Sequence, residues 1–278
     1  MGFRLANIDN RAVLVDDTHF YDVATISDGA LGPDPMAAIA DVATLHTLAA
    51  SLASIEPTGA LAGSVLGPPI PRPRNSFGIG LNYRSHVAEA DMEVPKVPLV
   101  FTKFPSCIVG PTADVELRSE AADYEAELVV VIGRAGRDID PANSWDHVAG
   151  VMAGQDISDR ALQFAAKPPH FDLGKSRDTY GPTGPWLTST DLLEDRDGVQ
   201  IACDVNGERR QEDSSASLIF SVPELVAYIS TIATLAPGDI IFTGTPEGVG
   251  VAQGNFLKPG DVVTTTISGV GTLTNVCR

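Results

Sequence analysis

Four prolines stand between positions 68 and 73, in Gly67-Pro68-Pro69-Ile70-Pro71-Arg72-Pro73-Arg74. Proline fixes φ and lacks an amide N–H, so no helix runs through this stretch and no central strand includes it. The segment reads as a stiff linker between two differently built parts. Before it, Arg11-Ala12-Val13-Leu14-Val15 and Phe20-Tyr21-Asp22-Val23 read as strands of a small sheet. Asp34-Pro35 then opens a helical stretch that continues, Ala-rich, to about Ala53. The expectation is a small N-terminal α+β domain over residues 1–70 and a larger domain over residues 71–278.

The larger part is rich in strand signals. Ser76 to Leu81, Pro98 to Lys103, Glu125 to Ile132, Ile240 to Thr243 and Val262 to Ile267 all read as strands. Pro237-Gly238-Asp239 and Pro259-Gly260-Asp261 are turns placed just before two of them. Ser85 to Met92 has room for a short helix. Ser221-Val222-Pro223-Glu224 carries a capping box and starts the best helix, through Leu225, Val226, Ile229 and Ile232. The pattern predicts a mixed α/β, β-rich core without a βαβ repeat.

Charge excludes several functions. Thirty-six Asp and Glu stand against 19 Lys and Arg, a net charge of −17. A chain this acidic is poorly suited to nucleic acid or to an anionic membrane surface. No apolar run approaches the ~18 residues of a membrane span. The first residues lack the long apolar core of a signal peptide. Cys107, Cys203 and Cys277 are far apart and form no zinc or thioredoxin spacing, so a reduced, cytoplasmic setting is expected. Lysine is scarce, with only Lys96, Lys103, Lys167, Lys175 and Lys258.

Asp123-Tyr124-Glu125-Ala126-Glu127 leads into the longest apolar strand. Residues two apart on a strand share a face, so Glu125 and Glu127 project side by side. Two such carboxylates are either solvated on an exposed face or bridged by a hard divalent cation. Asp156 closes another apolar run, where a lone buried carboxylate would be costly, and this favours the cation.

His86 and Glu89 are three apart and share a face if helical. They form either a carboxylate-polarised base or a surface contact. Lys175 follows Gly174 on a predicted loop, as a donor to an oxyanion or as a solvated lysine. Arg160 and Gln163 share a helical face, and the arginine would suit a substrate carboxylate or the solvent. Thr243-Gly244-Thr245-Pro246-Glu247-Gly248 is either a carboxylate-binding turn or simply a tight one.

Taken in order, these segments resemble the fumarylacetoacetate hydrolase family over roughly residues 75–278. The resemblance rests on Gly80-Leu81-Asn82-Tyr83 with His86 and Glu89, on Asp123-Tyr124-Glu125-Ala126-Glu127, and on Gln155-Asp156-Ile157-Ser158 with Arg160 and Gln163. It continues through Gly174-Lys175-Ser176, Gly184-Pro185-Trp186, Val205-Asn206-Gly207-Glu208, Thr243-Gly244-Thr245-Pro246 and Gly269-Val270-Gly271-Thr272-Leu273. The sequence departs from the family in having Ala161, not an acidic residue, after Arg160.

The resemblance implies a rolled mixed β-sandwich core, a homodimer and an active-site Mg²⁺ or Mn²⁺, with Ca²⁺ as a substitute in a crystal. It makes Glu125, Glu127 and Asp156 the metal ligands and His86 with Glu89 the water-activating pair. Lys175 and Gln163 would stabilise an oxyanion, and Arg160, Thr245, Tyr83 and Gly244 would lie by the substrate. The implied reaction is metal-dependent hydrolysis of a C–C bond in a small anionic 1,3-dicarbonyl or acylpyruvate-type 2-oxo acid. The alternative is oxaloacetate decarboxylation, or isomerisation, hydration or dehydration of a 2-oxo acid through an enolate.

Overall fold

The computed structural model describes all 278 residues. Its architecture is mixed and strand-rich. A large sheet runs in the order Gly59–Ala60, His19–Asp22, Arg11–Val15, Arg4–Ile8, Gly181–Ser189, Val148–Gln155, Ala126–Ile132, Ile240–Phe242, Ser76–Gly80 and Leu99–Thr102. A second sheet of four antiparallel strands, Glu208–Ser214, Gln200–Val205, Val262–Ile267 and Gly271–Val276, contributes to the same core.

The central strand Ala126–Ile132 is buried at every position, which is why its sequence, Glu127 apart, is apolar throughout instead of alternating. Leu128, Val130 and Ile132 face one core, shared with Ile201, Val263 and Leu273 of the second sheet and with Leu225 and Ile229 of the helix Val222–Ile232. Val129 and Val131 face the other way, into a cluster with Phe3, Leu5, Leu14, Leu45 and Leu48. Each such side chain contributes about 1.5–3 kcal/mol when fully buried.

Two sequence expectations change here. The N-terminal strands do not form a small sheet of their own: Arg4–Ile8 pairs antiparallel with Gly181–Ser189 and extends the main sheet. Leu5, Ala12 and Leu14 on one face join the cluster of Val129 and Val131, while Ala6, Ile8, Val13 and Val15 form a smaller cluster of their own. The helix expected from Asp34-Pro35 to Ala53 is broken into Pro35–Ala38 and Val42–Ser51. Asp41 starts the second piece by accepting from Thr44 N at 3.1 Å, which ends the first. Pro68 to Arg74 carry no helix and no strand, while Gly67 ends a two-residue strand paired with Arg4–Ile8. The capping box at Ser221 and Glu224 is present. All three cysteines are free and buried, and burial pushes the Cys203 and Cys277 thiols up to about 12.

Strand direction then gathers the polar motifs. Ile240–Phe242 and Ser76–Gly80 run parallel, so the chain leaves both at the same end. Thr243-Gly244 and Leu81-Asn82 emerge there side by side, and Asn82 Nδ2 donates to the Thr243 carbonyl at 2.7 Å. Ala126–Ile132 begins at that end and its antiparallel neighbour Val148–Gln155 finishes opposite it, with Ala126 paired to Gln155. Glu125, Glu127, Asp156, Gly244 and Tyr83 are thereby brought together at one end of these interior strands of the main sheet.

Candidate metal centre and active site

Glu125, Glu127 and Asp156 converge, with one oxygen from each lying within 4.8 Å of the others. All three are buried, and Asp156 has no exposed surface. Glu125 lies just before the strand, where its amide donates to Gln155 Oε1 at 3.0 Å and its carbonyl accepts from Asp156 N at 2.8 Å. Of the two sequence alternatives for the pair Glu125 and Glu127, the solvated exposed face is therefore removed.

Three cations surround these carboxylates. Lys175 Nζ donates to Glu125 Oε2 at 2.6 Å, Asp156 Oδ2 at 2.8 Å and Ser158 Oγ at 2.8 Å. Arg160 Nη2 donates to Glu125 Oε1 at 2.6 Å, and its Nε donates to Asp123 Oδ2 at 2.8 Å. Lys103 Nζ donates to Asp156 Oδ1 at 2.6 Å and to the carbonyls of Lys175 and Tyr180. Four buried carboxyl groups, counting Asp123, face three buried cations, so one is left without a cation. That one is Glu127, which accepts one hydrogen bond, from Gly244 N at 2.7 Å, and has no ion-pair partner. Burial, then Asp156 and Glu125, push the Glu127 carboxyl well above the usual range. Glu125 behaves oppositely: burial opposes its ionisation, but Lys175, Arg160 and His86 outweigh burial and hold its pKa below the usual range. An all-oxygen triad with an uncompensated carboxylate fits a hard divalent ion.

Lys175 is neither on a free loop nor solvated. It caps the one-turn helix Phe171–Gly174 and is 2% exposed. Its glycine neighbour is forced by packing, because a Cβ on Gly174 would lie 2.7 Å from Gln163 Cβ and 2.9 Å from its Cα. All three ammonium protons are committed, so bonding to an oxyanion requires exchange of one partner, and Ser158 is the neutral one. Gln163 Oε1 accepts from Arg160 Nη1 at 2.9 Å, while its amide nitrogen has no protein partner. Arg160 faces Asp123, Glu125 and Gln163, not open solvent, so its guanidinium is occupied by carboxylates of the protein itself.

His86 and Glu89 lie on the helix Arg84–Glu89, their Nδ1 and Oε2 3.4 Å apart, which is long for a hydrogen bond. Glu89 also accepts from Gly248 N at 3.0 and 3.1 Å, tying this helix to the glycine-rich loop. The helix follows closely on Asn82, whose Nδ2 donates to the Thr243 carbonyl beside Gly244. The Tyr83 hydroxyl is buried without a partner. Thr245 Oγ1 turns inward, donating to the Ala126 carbonyl at 2.9 Å and accepting from Gln211 Nε2 at 2.8 Å. Gly244 has φ +108°, and a Cβ there would meet Asn82 Cβ at 2.7 Å, so only glycine lets its amide reach Glu127.

Two site residues were not legible as such. Asp123 was part of a motif but had no assigned role; it is fully buried and accepts from Arg160, Gly250 N and Val251 N. Lys103 was only one of five lysines. The available signal was its phase: it stands two residues after Phe101, on the buried side of an edge strand.

A strand-rich fold that gathers buried carboxylates, lysines and a His–Glu pair at one end of its central strands has the make-up of an enzyme centre. Residues 75–278 match the model of the fumarylacetoacetate (FAA) hydrolase C-terminal domain, and the chain belongs to that family. A Burkholderia ambifaria relative, provisionally named a hydrolase, is 44% identical over 200 residues, 70% of this chain and 71% of its own. A crystal structure from Mycobacterium smegmatis, provisionally named an HpcE protein, superposes with a TM-score of 0.94 at 42% identity, covering 99% of this chain and 98% of that one. A Mycobacterium abscessus structure, provisionally named a 2-hydroxyhepta-2,4-diene-1,7-dioate isomerase, gives 0.85 at 31% identity, covering 100% and 98%. Maleylpyruvate hydrolase from Sphingobium sp. SYK-6, solved with manganese(II) and pyruvate, gives 0.82 at 28% identity, covering 99% and 98%.

Proposed function

We propose that this chain is a Mg²⁺- or Mn²⁺-dependent hydrolase that cleaves a C–C bond of a 1,3-dicarbonyl or acylpyruvate-type 2-oxo acid, fumarylacetoacetate- or fumarylpyruvate-like. The observation that carries the reading is Glu127, a buried carboxylate without a cation beside two ion-paired ones. Glu125, Glu127 and Asp156 would hold the ion, which supplies Lewis-acid stabilisation of an enolate. The maleylpyruvate hydrolase crystallised with manganese(II) and pyruvate supports both the metal and the 2-oxo acid class.

The residues divide the work as follows. His86, oriented by Glu89, takes a proton from water through its Nε2. The hydroxide adds to the carbonyl farther from the carboxylate end. Gln163, whose amide nitrogen is free, and the unpartnered Tyr83 hydroxyl donate to substrate oxygens. Lys175 adds positive charge and reaches the alkoxide by exchanging its bond to Ser158. The C–C bond breaks, one fragment leaves as a carboxylic acid, and the other is released as an enolate that takes up on carbon the proton held by His86. Arg160 and Thr245 act on the site's own framework, holding Glu125 and the Ala126 carbonyl.

A second reading has a specific observation behind it. Structural relatives named as isomerases share the fold. Decarboxylation or isomerisation of a 2-oxo acid would use the same carboxylates without an attacking water. Acylpyruvates, fumarylpyruvate-like compounds and oxaloacetate, offered with Mg²⁺ or Mn²⁺ and followed by ultraviolet absorbance of the enol, separate the two. Turnover of oxaloacetate alone would overturn the hydrolase reading. The substrate is a small organic anion, and we place the enzyme in the cytoplasm as a homodimer, which light scattering tests. No helix is long and apolar enough to cross a membrane.

A further inference from the structure

We propose that Lys103 is a positioning residue that fixes the rotation of the Asp156 carboxylate and thereby selects a small octahedral ion over Ca²⁺. The inference rests on the metal reading above and concerns how this site tells one divalent ion from another.

Asp156 is pinned at both ends. Lys103 Nζ holds Oδ1 at 2.6 Å and Lys175 Nζ holds Oδ2 at 2.8 Å. Ammonium–carboxylate bonds of this length are charge-assisted and strong, and neither Asp156 nor the Lys103 side chain is exposed. Rotation about the Cβ–Cγ bond would break both. The remaining Lys103 donors go to the carbonyls of Lys175 and Tyr180, so the same ammonium also fixes the backbone from which Lys175 projects. The Lys103 nitrogen additionally lies over the Phe242 ring, 5.6 Å from its centroid. No donor of Lys103 is left to touch a substrate, so its effect on the reaction passes through Asp156.

Glu125 is restrained in the same manner by Arg160 on Oε1 and Lys175 on Oε2. With two of the three carboxylates unable to swing, the site offers a narrow range of geometries. Mg²⁺ demands near-ideal octahedral geometry, whereas Ca²⁺ takes 6–8 oxygens in a flexible shell that often includes bidentate carboxylates. Rigid carboxylates therefore disfavour the larger ion. Release of one end of Asp156 lets it turn towards a second contact with Ca²⁺.

Removal of the lysine also removes a positive charge, which strengthens binding of any divalent ion. That electrostatic effect is common to Mg²⁺ and Ca²⁺, so the ratio of their affinities isolates the positioning effect. The test is isothermal titration calorimetry of Mg²⁺, Mn²⁺ and Ca²⁺ with the full-length chain and with Lys103→Met. Wild type is expected to bind Mg²⁺ and Mn²⁺ more tightly than Ca²⁺, and in Lys103→Met the ratio should move towards Ca²⁺ by about tenfold or more, the usual scale for loss of a residue that orients a metal ligand. A ratio unchanged to within about twofold, with both affinities moving together, overturns the proposal and leaves the metal reading standing. Failure of the wild type to bind any of the three ions overturns both. Should Lys103→Met not fold, Lys103→Gln keeps a donor for the carbonyls and carries the same comparison.

Discussion

The amide of Gly244 reaches Glu127 Oε2 at 2.7 Å, and that is the one hydrogen bond this buried carboxylate receives. Its neighbours Glu125 and Asp156 are each held by two cationic groups. The contrast gives Glu127 a raised pKa for reasons of burial and like charge. A carboxyl whose folded pKa is raised contributes stability below its unfolded pKa and loses it as pH rises through the folded value. The metal-free protein should thus lose stability as pH climbs above the ordinary glutamate range. Urea titrations of metal-free wild type and Glu127→Gln across that range check this. The glutamine variant should lack the decline, and a matching decline in both would dismiss Glu127 as its source.

Metal should act in the opposite sense, because it binds the deprotonated carboxylates. Saturation at a hundredfold above Kd should stabilise the fold by about 2.7 kcal/mol, read as a chelator-reversible rise in Tm. Asp156→Ala should show no such rise. It should also destabilise the metal-free chain by about 3–5 kcal/mol, because it leaves Lys103 and Lys175 buried beside a missing partner. A variant as stable as wild type would contradict the pairing described.

His86→Ala should lower hydrolysis of an acylpyruvate by roughly 10²–10⁴-fold, the usual contribution of a general base. Oxaloacetate decarboxylation, where present, should survive it, because that reaction needs no activated water. Equal loss of both activities would point to a structural role for the helix Arg84–Glu89.

Gly244→Ala introduces a Cβ 2.7 Å from Asn82 Cβ at a backbone φ of +108°. The expected cost is about 1–3 kcal/mol of backbone strain, read in thermal melts. Metal affinity should fall as well, because displacement of this amide removes the only bond that orients Glu127.

Much of the site was readable because its chemistry is local. The Glu125–Glu127, His86–Glu89 and Arg160–Gln163 spacings each follow from neighbours on one strand or one turn, and Asp156 stands out as a carboxylate closing an apolar run. Lys103 and Asp123 escaped notice because their partners are distant: Lys103 lies 53 residues from Asp156, and Asp123 lies 37 from Arg160. The resemblance places Thr245 by the substrate, on a loop whose hydroxyls and glycines suit either a carboxylate-binding turn or a tight one. Nothing in that loop's sequence reveals Gln211, which arrives from the second sheet and turns the hydroxyl inward. The strands of residues 4–22 were found at the right places, but pairing partners 180 residues away are not written in local periodicity.

That last pairing bears on how the chain can be taken apart. Arg4–Ile8 covers the edge of Gly181–Ser189, and Phe3, Leu5, Leu14, Leu45 and Leu48 lie against Val129, Val131 and Met152, behind the strands that carry Glu127 and Asp156. A fragment starting at the proline segment would contain every proposed ligand and still bare an unpaired strand edge and an apolar wall. The family-matched portion is thus not a portable cassette. The first seventy residues are the backing plate of the candidate site, and exchange of that segment between relatives would have to preserve its fit to the rear of the strands that lead to the proposed ligands.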